Sequence, residues 1–294
     1  MTLVIAQRHE DQVMILADTK IMDPSKTRPD IIPGRLKAII LGPGLSVAFA
    51  GNADAASLAI ENARDALLFC GIEDAINIIQ SDSREGETDY IIACHSPKAE
   101  LLCLRRGGRI SVPDICSIGD DDCFKDAIKK AIDSQKRLLD SDLRTYFYDR
   151  LLTGQNIGEK IGGFPVTIYA TNESHNYMPF FGSYTYKFPK LKSGMPTYQE
   201  INQVYTGDGH FEFGILPPET PNLPVLGAYS LQAKMGYIYS PIEQVDPYCI
   251  RLWPSDQPWE GHEDEMLQIL KKAINDHVLN VSSHNKIRKK IISS

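Results

Sequence analysis

In the N-terminal part of the chain, apolar residues come in short runs of strand length, each closed by a polar or glycine-containing turn. Leu3 to Ala6 and Val13 to Ala17 are two such runs, and His9-Glu10-Asp11-Gln12 between them predicts a hairpin. Leu36 to Leu41 and Ser46 to Ala50 repeat the pattern across Gly42-Pro43-Gly44, a composition that imposes a turn. The period then changes. Asn52 is a good helix N-cap, and Ala56, Ala59, Ala63 and Leu67 recur at helical spacing. A helix is therefore expected from there to about Cys70, and a second from Ile72 to Gln80.

After the polar stretch Ser81 to Thr88, strands are predicted at Tyr90 to Cys94, Glu100 to Leu104, Arg109 to Val112 and Cys116 to Ile118. Residues from Asp122 to Leu139 and from Asp142 to Leu152 read as helices, and Pro165 to Ala170 and Met178 to Tyr186 as two more strands. The order is strands, two helices, strands, two helices, strands. Two antiparallel sheets packed on each other, with helices over both outer faces, would bury all of these elements. Residues 187–227 are rich in Pro, Gly and Tyr without clear period, and read as a loop-dominated insertion. Short strands are expected again at Ala228 to Ala233, Tyr237 to Tyr239 and Tyr248 to Leu252. A last helix, Glu263 to Leu279, carries Met266, Leu267, Leu270 and Ile274 on one face. The expected organisation is a core over residues 1–186 and an extension over 187–294 packed on the same domain.

Composition narrows the function classes. The 294 residues are 43% hydrophobic and 23% charged, the mix of an ordinary globular protein. No run is long enough for a spanning helix and no signal peptide is evident, so a cytoplasmic protein off the membrane is expected. The net charge of −7 argues against a nucleic-acid partner, although Lys286, Arg288, Lys289 and Lys290 are locally basic. The six cysteines lack Cys-x-x-Cys spacing and the seven histidines are scattered, so neither a metal site nor any other cofactor is expected.

Four positions could carry chemistry. Removal of Met1 would leave Thr2 with a free α-amine beside its own hydroxyl, a nucleophile and a base on one residue. An α-amine has an ordinary pKa near 8, and a nearby cation would bring it toward neutrality. Lys37 is the candidate cation and Asp18 its counter-ion. Gly51, at a strand-to-helix junction, could turn a backbone N–H toward a developing oxyanion.

These residues and their surroundings resemble a known family. Thr-Leu-Val-Ile-Ala at 2–6, Val-Met-Ile-Leu-Ala-Asp-Thr-Lys at 13–20, Gly-Arg-Leu-Lys-Ala-Ile-Ile at 34–40 and Phe-Ala-Gly-Asn-Ala-Asp-Ala at 49–55 are similar to the proteasome β-subunits, particularly their bacterial two-component relative. The intervals from Thr2 to Asp18 and from Lys37 to Gly51 match that family's catalytic intervals, with a longer loop between. The resemblance spans roughly residues 2–186. It implies an α+β, four-layer αββα sandwich of two antiparallel sheets, the N-terminal-nucleophile hydrolase fold, here with a C-terminal extension. It also implies Thr2, Asp18, Lys37 and Gly51 as the catalytic set. Where the family has Gly-Ser-Gly, this chain has Gly119-Asp120-Asp121, which puts the carboxylate of Asp120 in place of the amine-orienting serine. The Asp and Ser of the family's later motif have no counterpart near Glu159 to Gly163.

On the strand Ser46 to Ala50, Phe49 shares the face of Gly51 and is expected, with Ile21 and Ala53, to line an apolar pocket for small or medium acyl-side groups. The expected function is hydrolysis of amide bonds in polypeptides by a threonine nucleophile, without cofactor. Self-assembly into a homo-oligomer or ring, and an unfoldase or other protein partner, are implied by the resemblance. Two rivals stand beside it: a catalytically inactive subunit of the same fold that serves as scaffold or binds a partner, and a non-peptide amidase.

Overall fold

The computed structural model describes residues 2–19, 35–112, 114–119, 164–185, 210–231, 233–241 and 247–292. The chain divides into two compact units, the first running through Tyr177 and the second containing everything from Met178 onward.

The first unit holds two five-stranded antiparallel sheets. Sheet A is built from β1 (Leu3–His9), β2 (Gln12–Ala17), β8 (Ile115–Gly119), β9 (Val166–Ala170) and β10 (His175–Tyr177), in the order β10-β9-β2-β1-β8. Sheet B follows chain order: β3 (Ala38–Gly42), β4 (Leu45–Ala50), β5 (Asp89–Cys94), β6 (Glu100–Arg105) and β7 (Gly108–Val112). The hairpin expected at the N-terminus forms, with His9 opposite Gln12 and Glu10 in the left-handed region. Helices α1 (Ala53–Phe69) and α2 (Ile72–Glu85) follow β4. Asn52 caps α1 as its sequence predicts, its side chain accepting from the amides of Asp54 and Ala55.

Alternation along the strands decides what each face meets. In sheet A, Val4, Ala6, Ile15, Ala17, Ile168, His175 and Tyr177 share one face by register. Tyr177 reaches across from it to sheet B, its hydroxyl bonding the Ala38 carbonyl and the Ile40 amide. The two sheets therefore pack face to face through these residues and through Ala48, Ile91 and Ala93 of sheet B. The far face of sheet B carries Val47, Phe49 and Tyr90 toward the helices, where the Tyr90 hydroxyl donates to Asp82 of α2. Ile5 and Leu16, on the far face of sheet A, are also fully buried. The helices expected at 122–152 lie outside the described residues.

Four expectations need correction. Helix α2 does not stop at Gln80 but continues through the polar stretch to Glu85. Side-chain hydrogen bonds hold the added turn: Ser83 accepts from the Gly107 amide and Asp82 from Tyr90. The strand expected at Met178 to Tyr186 exists as β11 (Phe180–Thr185), but it joins neither sheet A nor sheet B. It begins a third antiparallel sheet with β12 (His210–Leu216), β13 (Leu226–Ser230), β14 (Met235–Tyr239) and β15 (Tyr248–Arg251), and β12 falls inside the stretch read as loop. The C-terminal helix α3 (Glu263–Ile292) runs well past Leu279. Its face of Met266, Leu270 and Ile274 packs with Val225, Tyr229, Ile238 and Leu252 into a core of the second unit's own. Among the described residues no helix is long and apolar enough to cross a membrane.

Candidate functional site

Pairing of β1 with β2 sets Leu3 beside Asp18, and the contact is double. The Asp18 amide donates to the Leu3 carbonyl at 3.2 Å, and the Leu3 amide donates to Asp18 Oδ1 at 3.1 Å. The same carboxylate takes the ammonium of Lys37 with both oxygens, Nζ lying 2.9 Å from Oδ1 and 3.0 Å from Oδ2. One carboxylate oxygen thus bonds both the Lys37 charge and the amide directly after Thr2. Asp18 is 0% exposed, Lys37 3% and Thr2 7%. A buried charge pair of this kind persists only when its geometry and its remaining hydrogen bonds are satisfied, because burial costs each ion several kcal/mol.

The backbone around the pair is fastened from both sides. Thr19 is buried, and its hydroxyl donates to the Phe164 carbonyl at 3.0 Å while accepting from the Phe164 amide at 2.9 Å. Its carbonyl accepts the Arg35 amide, which joins the segment carrying Asp18 to the one carrying Lys37. Lys37 is tied in turn to β4, since its carbonyl accepts the Phe49 amide at 3.0 Å.

Two glycines close the site. Gly119 ends β8 with φ +96°, and a Cβ placed there would lie 1.9 Å from the Thr2 carbonyl oxygen and 3.4 Å from the Ala50 methyl group. Only glycine allows β8 to press this closely on Thr2. Ala50 is the last residue of β4, and the chain passes from it into Gly51. Gly51 has φ +131°, and a Cβ there would meet the Glu87 carbonyl at 2.2 Å. It is exposed, and it precedes the Asn52 cap of α1, the positive end of a helix.

No family model matches the sequence, and no curated protein matches it. Solved structures are similar to it, and one of them illustrates the extent of the likeness. The Anbu (Gly-1) mutant from Hyphomicrobium sp. strain MC1 aligns over 58% of this chain and 82% of its own, with a TM-score of 0.46 and 18% identity. Anbu is a bacterial protein of the proteasome β type.

The structure thus brings Thr2, Asp18 and Lys37 to one place, and Gly51 follows Ala50 at the end of β4. The expected pocket residues are distributed differently. Phe49 is 2% exposed and its strand register turns it toward the layer of α1 and α2, while Ala53 is half-buried at the start of α1. Ile21 and Asp120 lie outside the described residues. Sequence reasoning did not find the parts played by Thr19 and Gly119. The signal for Gly119 is a glycine ending an apolar strand just before three acidic residues. Nothing local in the sequence marks Thr19, whose partner Phe164 is far along the chain. Among the described residues no group of three or more His, Cys, Asp or Glu side chains is placed to hold a metal.

Proposed function

We propose that the chain is an amide-bond hydrolase whose nucleophile is Thr2, freed by cleavage after Met1. The observation that carries this reading is the sealed Asp18–Lys37 pair, one oxygen of which also bonds the amide following Thr2. A buried ammonium beside a threonine lowers the pKa of both its hydroxyl and its α-amine and so favours attack at neutral pH. The Thr2 amine takes the hydroxyl proton as Oγ1 adds to the carbonyl carbon, and the Gly51 N–H meets the oxyanion. Collapse expels the amine product with that proton and leaves an ester on Thr2. Water, deprotonated by the same amine, then cleaves the ester and restores the hydroxyl.

Sheets A and B with α1 and α2 supply three layers of an αββα sandwich, and burial of Ile5 and Leu16 on the far face of sheet A supports a fourth. The substrate is a polypeptide or a smaller amide with an apolar acyl side, and the chain works as a homo-oligomer in the cytoplasm.

The test is covalent labelling. Protein lacking Met1, verified by intact mass, should take up one equivalent of a threonine-directed electrophile such as a β-lactone and cleave fluorogenic peptide amides, and Thr2→Ala should do neither. Retention of Met1 in protein from the native host would favour the inactive scaffold, since an acylated Thr2 amine has no basicity.

A further inference from the structure

A second chemically distinctive cluster lies across the sheets from β2, and nothing in the hydrolase reading uses it. Cys103 sits in β6 opposite Ile91 and Ile110, and shares with Ile91 the face of sheet B that meets sheet A. Cys116 sits in β8 opposite Ala6, on the face of sheet A that meets sheet B. The two thiols face each other across the interface, near enough for each to perturb the ionisation of the other. The pair is held there by backbone as well: Arg105, at the end of β6, donates from its guanidinium to the Ser117 carbonyl in β8. Cys103 is buried and Cys116 only partly so, which gives a small oxidant a route to the pair from the Cys116 side.

We propose that Cys103 and Cys116 form an oxidation-driven cross-link between the two sheets, with hydrogen peroxide as the oxidant. Cys103 is the attacking thiol. The neighbouring Cys116 thiol and the nearby Arg105 charge lower its pKa against burial, whereas Cys103 and burial push that of Cys116 up. The Cys103 thiolate attacks one peroxide oxygen, the O–O bond breaks and hydroxide leaves, giving a sulfenic acid. Cys116 then attacks the sulfenic sulfur. Its proton and the departing hydroxyl leave as water, and the second water forms from the hydroxide and the proton first lost by Cys103. Two thiols and one peroxide thus give one disulfide and two waters. The bond would fix β8 to β6, and β8 is also the strand whose Gly119 presses on Thr2.

Peroxide treatment of the folded full-length protein, followed by blocking of free thiols under denaturing conditions and peptide mapping, tests this directly. The expected result is loss of two hydrogen atoms in mass, one linked peptide pair containing Cys103 and Cys116, and reversal by dithiothreitol. Cys116→Ser should leave a sulfenic acid on Cys103 that dimedone traps, and Cys103→Ser should give no cross-link. The oxidised protein should melt higher by about 5 °C, because the closed loop is short and the native strands already hold the geometry. Oxidation that stops at Cys103 in the unaltered protein, a disulfide joining other cysteines, or two thiols still blockable after treatment would each overturn the proposal.

Discussion

Lys37 and Asp18 illustrate how a single residue here carries both stability and chemistry. Removing either one takes the opposite charge away from a buried ion, so Lys37→Met should cost about 3–5 kcal/mol. Urea unfolding would show this as a lower midpoint with an unchanged slope. The double change Asp18→Asn with Lys37→Met should recover much of that loss, because no charge is then stranded, while labelling at Thr2 stays absent in both. Gly119→Ala makes a different prediction. Its Cβ would meet backbone, not the end of a side chain, at Thr2. We therefore expect lost labelling at Thr2, with a drop in stability of about 1–3 kcal/mol from the strained φ. At this scale the spacing of Thr2, Asp18, Lys37 and Gly51 was legible in the sequence, and the first three do meet. The role of Gly119 was not legible, since it depends on β8 lying beside β1 across more than a hundred residues of chain.

Among the elements, those with a strong local signal were the readable ones. The N-terminal hairpin, the Asn52 cap and the strands of sheet B follow from apolar runs closed by turn residues, and their bounds shift by only a few positions. Asn52→Ala removes the oxygen that accepts from Asp54 and Ala55, and should cost about 1 kcal/mol. A thermal melt should show that as a fall of about 2–4 °C. Elements held by partners distant in sequence were misread. The last turn of α2 is polar and stays helical because Ser83 and Asp82 bond Gly107 and Tyr90. In the second unit, Phe211, Phe213 and Ile215 alternate with polar or small residues, but the Pro- and Gly-rich sequence around them hides the period. The C-terminal helix runs beyond the apolar face of Met266, Leu270 and Ile274 to Ile292, and the polar sequence there hides its end.

At the scale of the whole first unit, a buried polar chain ties the two sheets together, and it should make folding sensitive to acid. His95 Nε2 lies 3.0 Å from the Asp11 carbonyl, which can only accept, so this nitrogen carries the proton and His95 Nδ1 is left as an acceptor. His175 Nε2, 2.9 Å from that Nδ1, must then donate, and Ser46 Oγ, 2.6 Å from His175 Nδ1, donates in turn. Every proton is placed only while both rings are neutral. Burial, with a smaller contribution from His95, lowers the His175 pKa from 6.5 to about 3, and burial likewise lowers that of His95. A base whose folded pKa is depressed contributes full stability above its unfolded pKa near 6.5, and loses it as pH falls toward the folded value. Between pH 7.5 and 5 the His175 ring alone should cost the fold about 2 kcal/mol. Urea midpoints measured at those two pH values should fall accordingly in the unaltered protein. In His175→Gln the difference between the two midpoints should shrink, whatever the variant loses at pH 7.5. An equal acid dependence in both proteins would mean that the ring titrates normally and that the two sheets are not joined through it.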